Sequence, residues 1–129
     1  AHARICGIFK KAEEKGIHLE FKNVAVKNLM LPEELALIQL IQDYPHELSL
    51  AIHEKEPHRV AFTLMEVARA LQSYYAKAKE DSRYHILSQN VDFALPKLYL
   101  LHHIQTVLKD GLTLLGVSAP ERMDSLTNE

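Results

Sequence analysis

Leu98, Leu101, Leu108, Leu112 and Leu115, with Ile104 between them, recur at steps of three and four residues. On a helix this spacing makes one continuous apolar face, whereas a strand would need alternation at every second residue. Alternating runs are nearly absent elsewhere in the chain. Four glycines and five prolines in 129 residues also leave little room for the many tight turns of an all-β protein. The pattern predicts an all-α fold, a bundle of about five helices joined by short loops and without an internal repeat.

The remaining helices follow from apolar stripes and their stops. Ile5, Ile8, Phe9 and Ala12 share one side of a helix over residues 1–15, which Gly16 ends. Residues 17–30 give a weak signal and are expected to form a loop, with Phe21, Val24, Val26 and Leu29 able to dock on the core. Pro32-Glu33-Glu34 is a favourable helix opening, with proline preset for the first turn and acids near the positive end of the dipole. That helix should reach about Asp43, and Pro45 should break it and start a short acidic helix through Lys55. Glu56-Pro57-His58-Arg59 opens the next one. Its two adjacent stripes, Val60/Leu64/Val67/Leu71/Tyr74/Ala78 and Ala61/Met65/Ala68/Tyr75, predict a central helix covered on a wide arc. Residues 77–90 read as a connection, and the leucine-rich helix then starts near Ala94 with Pro96 in its first turn. Gly111 interrupts its pattern and Gly116 ends it.

Composition bounds the function. Apolar residues make up 47% and charged residues 25%, which excludes a disordered chain. Cys6 is the single cysteine, so no internal disulfide forms and a reducing compartment fits. With no apolar run near membrane-spanning length, the expectation is a soluble, cytoplasmic protein without a membrane partner. Ala1-His2-Ala3-Arg4 begins inside a helical pattern and without methionine, which points to a piece of a larger protein. The net charge of −2 does not advertise nucleic-acid binding. Its distribution is uneven: six Lys/Arg against three acids in residues 1–27, one against six in 28–58, and five against three in 59–83. Two basic segments around an acidic one are compatible with a local positive face for phosphate contact.

Eight histidines raise the question of a metal. His102 and His103 are adjacent and diverge by about 100° on a helix, where a ligand pair needs a step of three or four. His53 and His58 are split by Pro57, so no metal site is expected. Ser49, Ser73, Ser82 and Ser88 lie outside any glycine-elbow context, and no glycine-rich phosphate loop exists. On these grounds no catalytic residue is assigned. What remains is Gln72-Ser73-Tyr74-Tyr75 together with Arg59, Arg69, Lys77, Lys79 and Arg83, aromatic and basic residues of the kind that stack unpaired bases and hold phosphates.

Three segments carry a family resemblance. Ala1-His2-Ala3-Arg4-Ile5-Cys6 resembles the Tyr-Ala-His-Ala-Arg-Ile segment of arginyl-tRNA synthetases without its tyrosine. Glu56-Pro57-His58-Arg59-Val60-Ala61, with Ser73-Tyr74-Tyr75 further on, is similar to the family's Glu-Pro-His-Arg helix and its aromatic end. Leu114-Leu115-Gly116-Val117-Ser118-Ala119-Pro120-Glu121-Arg122-Met123 matches the family's C-terminal segment. The resemblance implies the all-helical anticodon-binding domain of a class I arginyl-tRNA synthetase, over residues 1–123, with 124–129 as a polar tail. Its partners would be the anticodon stem-loop of arginine tRNA, whose middle cytosine is the main identity element, and an upstream catalytic Rossmann domain of the same chain. That upstream domain would use ATP and Mg²⁺ to attach arginine, and residues 1–129 by themselves would be inactive.

The same resemblance places Arg4, Tyr75 and Met123 near the anticodon. Arg59 and Lys79 are added as phosphate contacts from charge and spacing. The signature for which this domain type is named, Asp-Ala-Leu-Arg, survives as Ala94-Leu95-Pro96-Lys97, so lysine replaces the arginine. The alternative function from another class is a stand-alone helical module that binds a partner helix in an apolar groove.

Overall fold

A computed structural model describes residues 2–17, 21, 24, 26–87 and 90–116. Among them are four α-helices: α1 (His2–Glu14), α2 (Pro32–His53), α3 (His58–Lys77) and α4 (Val91–Leu114). Single 3₁₀ turns lie at Val26–Asn28 and Ser82–Tyr84. No described strand accompanies them, so the all-α expectation holds with four helices in place of about five. No described helix is long and apolar enough to cross a membrane.

The difference in number comes from Pro45. Helix α2 runs through it from Pro32 to His53, and the expected break is absent. Proline removes one backbone donor from the interior of the helix. Pro45 is exposed, while Leu37, Tyr44 and Ala51 on the other side are buried. Tyr44 anchors that inner side by donating from Oη to Asp110 Oδ2 on α4 at 2.6 Å. Packing on both sides of the proline therefore holds one helix together.

Pro96 gives the second correction. Helix α4 starts at Val91, before Ala94, with the Asn90 side chain accepting from the Asp92 N–H at 3.0 Å. Pro96 therefore lies in the second turn, where its missing N–H orphans the carbonyl of Asp92 four residues back. Asn28 Nδ2 donates to that carbonyl at 2.8 Å. The 3₁₀ turn before α2 thus supplies the hydrogen bond that the proline removes.

Helix α3 packs on α2 and α4 and meets α1 at Tyr75, and helix α4 touches each of the other three. The buried residues of α4 include Ala94, Pro96, Lys97, Leu98, Leu100, Leu101, Ile104, Val107, Leu108 and Gly111. Helix α3 buries the stripe Val60, Thr63, Leu64, Val67, Leu71 and Tyr74; of the expected second stripe Ala61, Ala68 and Tyr75 are half-buried and Met65 is exposed. Helices α2 and α3 pack along each other, while α1 lies against α4 through Ile5 and its neighbours. In the loop before α2, Leu29 is buried and the Phe21 ring sits 5.4 Å from those of Tyr99 and His102, but Val26 is exposed.

One carboxylate joins three helices. Glu34, in the first turn of α2, accepts from the Leu31 N–H through Oε1 at 3.1 Å. Its Oε2 accepts from Tyr74 Oη on α3 and from Lys97 Nζ on α4, each at 2.5 Å. Glu34 and Lys97 are both buried. Lys97 is therefore an internal tie between α4 and α2. Two further tyrosine–carboxylate bonds support α2: the Tyr44 pair already described, and Tyr84 Oη to Glu33 Oε2 at 2.8 Å.

Helix ends follow glycine where glycine is present. Gly16 and Gly116 have φ of 79° and 78°, the left-handed conformation favoured after a helix. Helix α2 closes in the same way without one: Lys55 has φ 56°, and the Glu56 N–H reaches the Ala51 carbonyl at 2.8 Å. The left-handed conformation costs a side-chain-bearing residue about 1–2 kcal/mol, part of which glycine returns through greater freedom of the unfolded chain. Lys55→Gly is accordingly expected to raise stability by about 0.5–1 kcal/mol in urea unfolding. A lower unfolding midpoint would show that the lysine side chain contributes more than its backbone costs.

Candidate nucleic-acid interface

Arg4 lies in the first turns of α1, whose inner face is fixed by the buried Ala3, Ile5 and Ala12. That face turns Arg4 outward. Its guanidinium lies 3.9 Å from the centre of the Tyr75 ring, near the end of α3. Tyr75 in turn follows Tyr74, whose ring is fully buried and bonded to Glu34. The core thus fixes the backbone that presents the Tyr75 ring, and the ring supports Arg4.

The Tyr75 hydroxyl is buried and has no hydrogen-bond partner among the described residues. Burial pushes its phenol pKa up, with the Arg4 charge acting in the opposite direction. A neutral phenol is therefore maintained under the cation. A cation over an aromatic face contributes about 0.5–2 kcal/mol, enough to keep a long arginine side chain flat. Arg4 is exposed, and its guanidinium has no hydrogen bond or ion pair among the described residues. A planar base can stack on a guanidinium face while the donors meet an adjacent base edge or phosphate.

Lys79 lies in the turn that follows α3, is exposed, and has no ion pair among the described residues. It stands four residues beyond Tyr75, at the same end of α3. Arg59 does not join this group. Sixteen residues separate it from Tyr75, about 24 Å along a helix. Its Nε is bonded to Glu56 Oε2 at 2.8 Å, and its Nη1 lies 3.6 Å from Glu47 Oε2. Two carboxylates already face that cation, at the α2–α3 junction. Met123 lies outside the described residues, as does the 124–129 tail.

Sequence reasoning passes over one surface feature. Met30 and Phe93, both large and exposed, border a groove beside Arg83 and His85. An apolar residue before a helix, as Met30 is, or in its first turn, as Phe93 is, carries no signal that distinguishes it from core.

A family model for the DALR anticodon binding domain matches residues 1–123. The chain belongs to that family. Among similar curated proteins, an arginine–tRNA ligase of Syntrophotalea carbinolica is 43% identical over 124 residues, covering 95% of this chain and 21% of the relative. One of Citrifermentans bemidjiense is 38% identical over 123 residues, covering 95% and 21%. One of Nitratidesulfovibrio vulgaris is 42% identical over 125 residues, covering 95% and 22%. This DALR domain therefore spans about a fifth of the length of the relatives it matches. Among its described residues, no three His, Cys, Asp or Glu side chains come together in a way that could hold a metal ion.

Proposed function

We propose that this domain reads the anticodon loop of an arginine tRNA for an arginine–tRNA ligase, and that residues upstream of it attach arginine using ATP and Mg²⁺. The observation that carries the reading is the Arg4–Tyr75 stack, held at the end of α3 in a member of the anticodon-binding family. An unpaired base, the middle cytosine in this reading, stacks on the guanidinium, and Lys79 holds a phosphate beside it. Base contacts then set specificity and phosphate contacts set position and affinity. The same reading takes the domain through Met123 and places the protein in the cytoplasm. A stand-alone interaction module is not favoured, because family membership offers it no support.

The test is a titration of the chain with an arginine-tRNA anticodon stem-loop and with a loop whose middle cytosine is changed, at two salt concentrations. Preference for the cytosine loop is expected. Arg4→Ala should weaken binding and reduce the preference by about 1–3 kcal/mol. Lys79→Ala should weaken both loops equally and lower the log–log salt slope by about 0.7, the value for one single-stranded phosphate contact. Equal losses on both loops from Arg4→Ala would remove Arg4 from base reading. Absence of binding at either salt would remove the proposed function from this chain.

A further inference from the structure

The groove beside the 3₁₀ turn at Ser82–Tyr84 has a volume of about 350 Å³ and opens between that turn, the first turn of α4 and the residues leading into α2. Two of its lining residues are large apolar side chains that the core leaves outside: Met30 is 74% exposed and Phe93 47%. Its polar lining includes Ser82, Arg83 and His85, with the buried Lys97 at its inner side. No carboxylate lines it among the described residues, although the whole chain carries a net charge of −2. The groove therefore combines an aromatic face and a thioether with neutral polar groups, His85 and two cations, each of which has one carboxylate partner behind it: Asp81 for Arg83 and Glu34 for Lys97.

Arg83 is oriented before any ligand arrives. Its Nε lies 3.1 and 3.0 Å from the two oxygens of Asp81, and its Nη2 lies 2.6 Å from Oδ2. This chelate orients the guanidinium, and Nη1 has no hydrogen bond among the described residues. The groove is also tied to the Arg4–Tyr75 platform. Lys97 is bonded to Glu34, Glu34 to Tyr74, and Tyr74 immediately precedes Tyr75. A second groove, lined by Val26, Leu35, Ile38 and Tyr99, is of similar size but has no Lys or Arg among its described lining residues. Charge distinguishes the two.

We propose that the Met30–Phe93 groove is a second base-binding subsite, which takes another unpaired nucleotide of the same RNA loop. Its base stacks on Phe93 beside the Met30 thioether, and its phosphate meets Nη1 of Arg83. Stacking on an aromatic side chain tolerates any base, so this subsite adds affinity and fixes the path of the loop without reading its sequence. The inference rests on the tRNA reading above and extends it to a second nucleotide.

The test uses fluorescence anisotropy with the arginine-tRNA stem-loop and a series in which each loop nucleotide in turn is made abasic. Phe93→Ser should weaken binding of the intact loop by roughly 5- to 150-fold, the range for losing one base–aromatic stack. One abasic position other than the middle cytosine should weaken the unsubstituted protein similarly, and Phe93→Ser should add no further loss on that loop. Arg4→Ala should still add its own loss there. Met30→Ser, at a more exposed side chain, repeats the test if Phe93→Ser fails to fold. Cytosine-selective binding that neither variant alters would overturn the subsite and leave the proposed function standing. Failure of the unsubstituted chain to bind any loop would overturn both.

Discussion

Lys97→Met should destabilise the domain by about 3–5 kcal/mol, the cost of leaving a buried carboxylate without its countercharge. Glu34 is completely buried, and its Oε2 holds both Tyr74 Oη and Lys97 Nζ at 2.5 Å. After the substitution only a neutral phenol and one backbone N–H remain on that anion. Domains of this kind are stable by about 5–15 kcal/mol in total, so the loss is a large share. The intact pair need not be strongly stabilising, because burying both charges offsets much of their attraction. Combining Lys97→Met with Glu34→Gln should therefore recover much of the loss, since the amide oxygen can still accept from Tyr74. Lys97→Arg keeps the charge, so it should lose least of the three. Urea unfolding of the four proteins checks the order. A double variant as unstable as Lys97→Met alone would mean that the site is held by shape and not by charge balance.

That tie also shows what can be read from the sequence. The opening of α2 is visible in Pro32-Glu33-Glu34, but Glu34 looks like a dipole-facing acid on a helix surface. Its partners are 40 and 63 residues away, and no local pattern announces them. Lys97 is visible only through the resemblance, as a departure from the signature. Pro45 and Pro96 mislead for a common reason. A proline removes a local donor, and whether the helix continues depends on tertiary contacts such as the Tyr44–Asp110 and Asn28–Asp92 bonds. Glycine ends at Gly16 and Gly116 are legible because the left-handed backbone is a local demand.

The candidate site divides in the same way. Arg4 and Tyr75 come from separate segments of the resemblance, and only the fold shows one lying on the other. Charge points to Lys79, which lies beyond Tyr75 at the end of α3. The same rule points to Arg59, yet Arg59 sits between Glu47 and Glu56 at the far end of that helix. A count of positive residues carries no information about which cations are already paired. Glu56 is three residues away and is one of the two partners, so half of that answer is available locally.

Gly111→Val should cost about 2–3 kcal/mol, because overpacking of the α3–α4 contact outweighs the few tenths of a kcal/mol that valine gains over glycine in helix propensity. A Cβ at Gly111 would stand 2.7 and 2.8 Å from the two methyl carbons of Leu64 and 3.0 Å from its Cγ. Leu64 belongs to the buried cluster, so its side chain cannot turn away without disturbing neighbours packed at crystal-like density. Gly111→Ala should lose less, about 1 kcal/mol, because alanine regains roughly that amount in helix propensity against the same clash. Leu64→Ala alone should cost about 2–5 kcal/mol by opening a cavity. Combined with Gly111→Val, however, it removes the clashing atoms and the valine partly fills the space. The double variant should then be more stable than the sum of the two single losses by about 0.5–3 kcal/mol. Strict additivity would mean that α4 shifts bodily away from α3 when a side chain is added at Gly111. Such a shift would also strain the Lys97–Glu34 bond that joins α4 to α2.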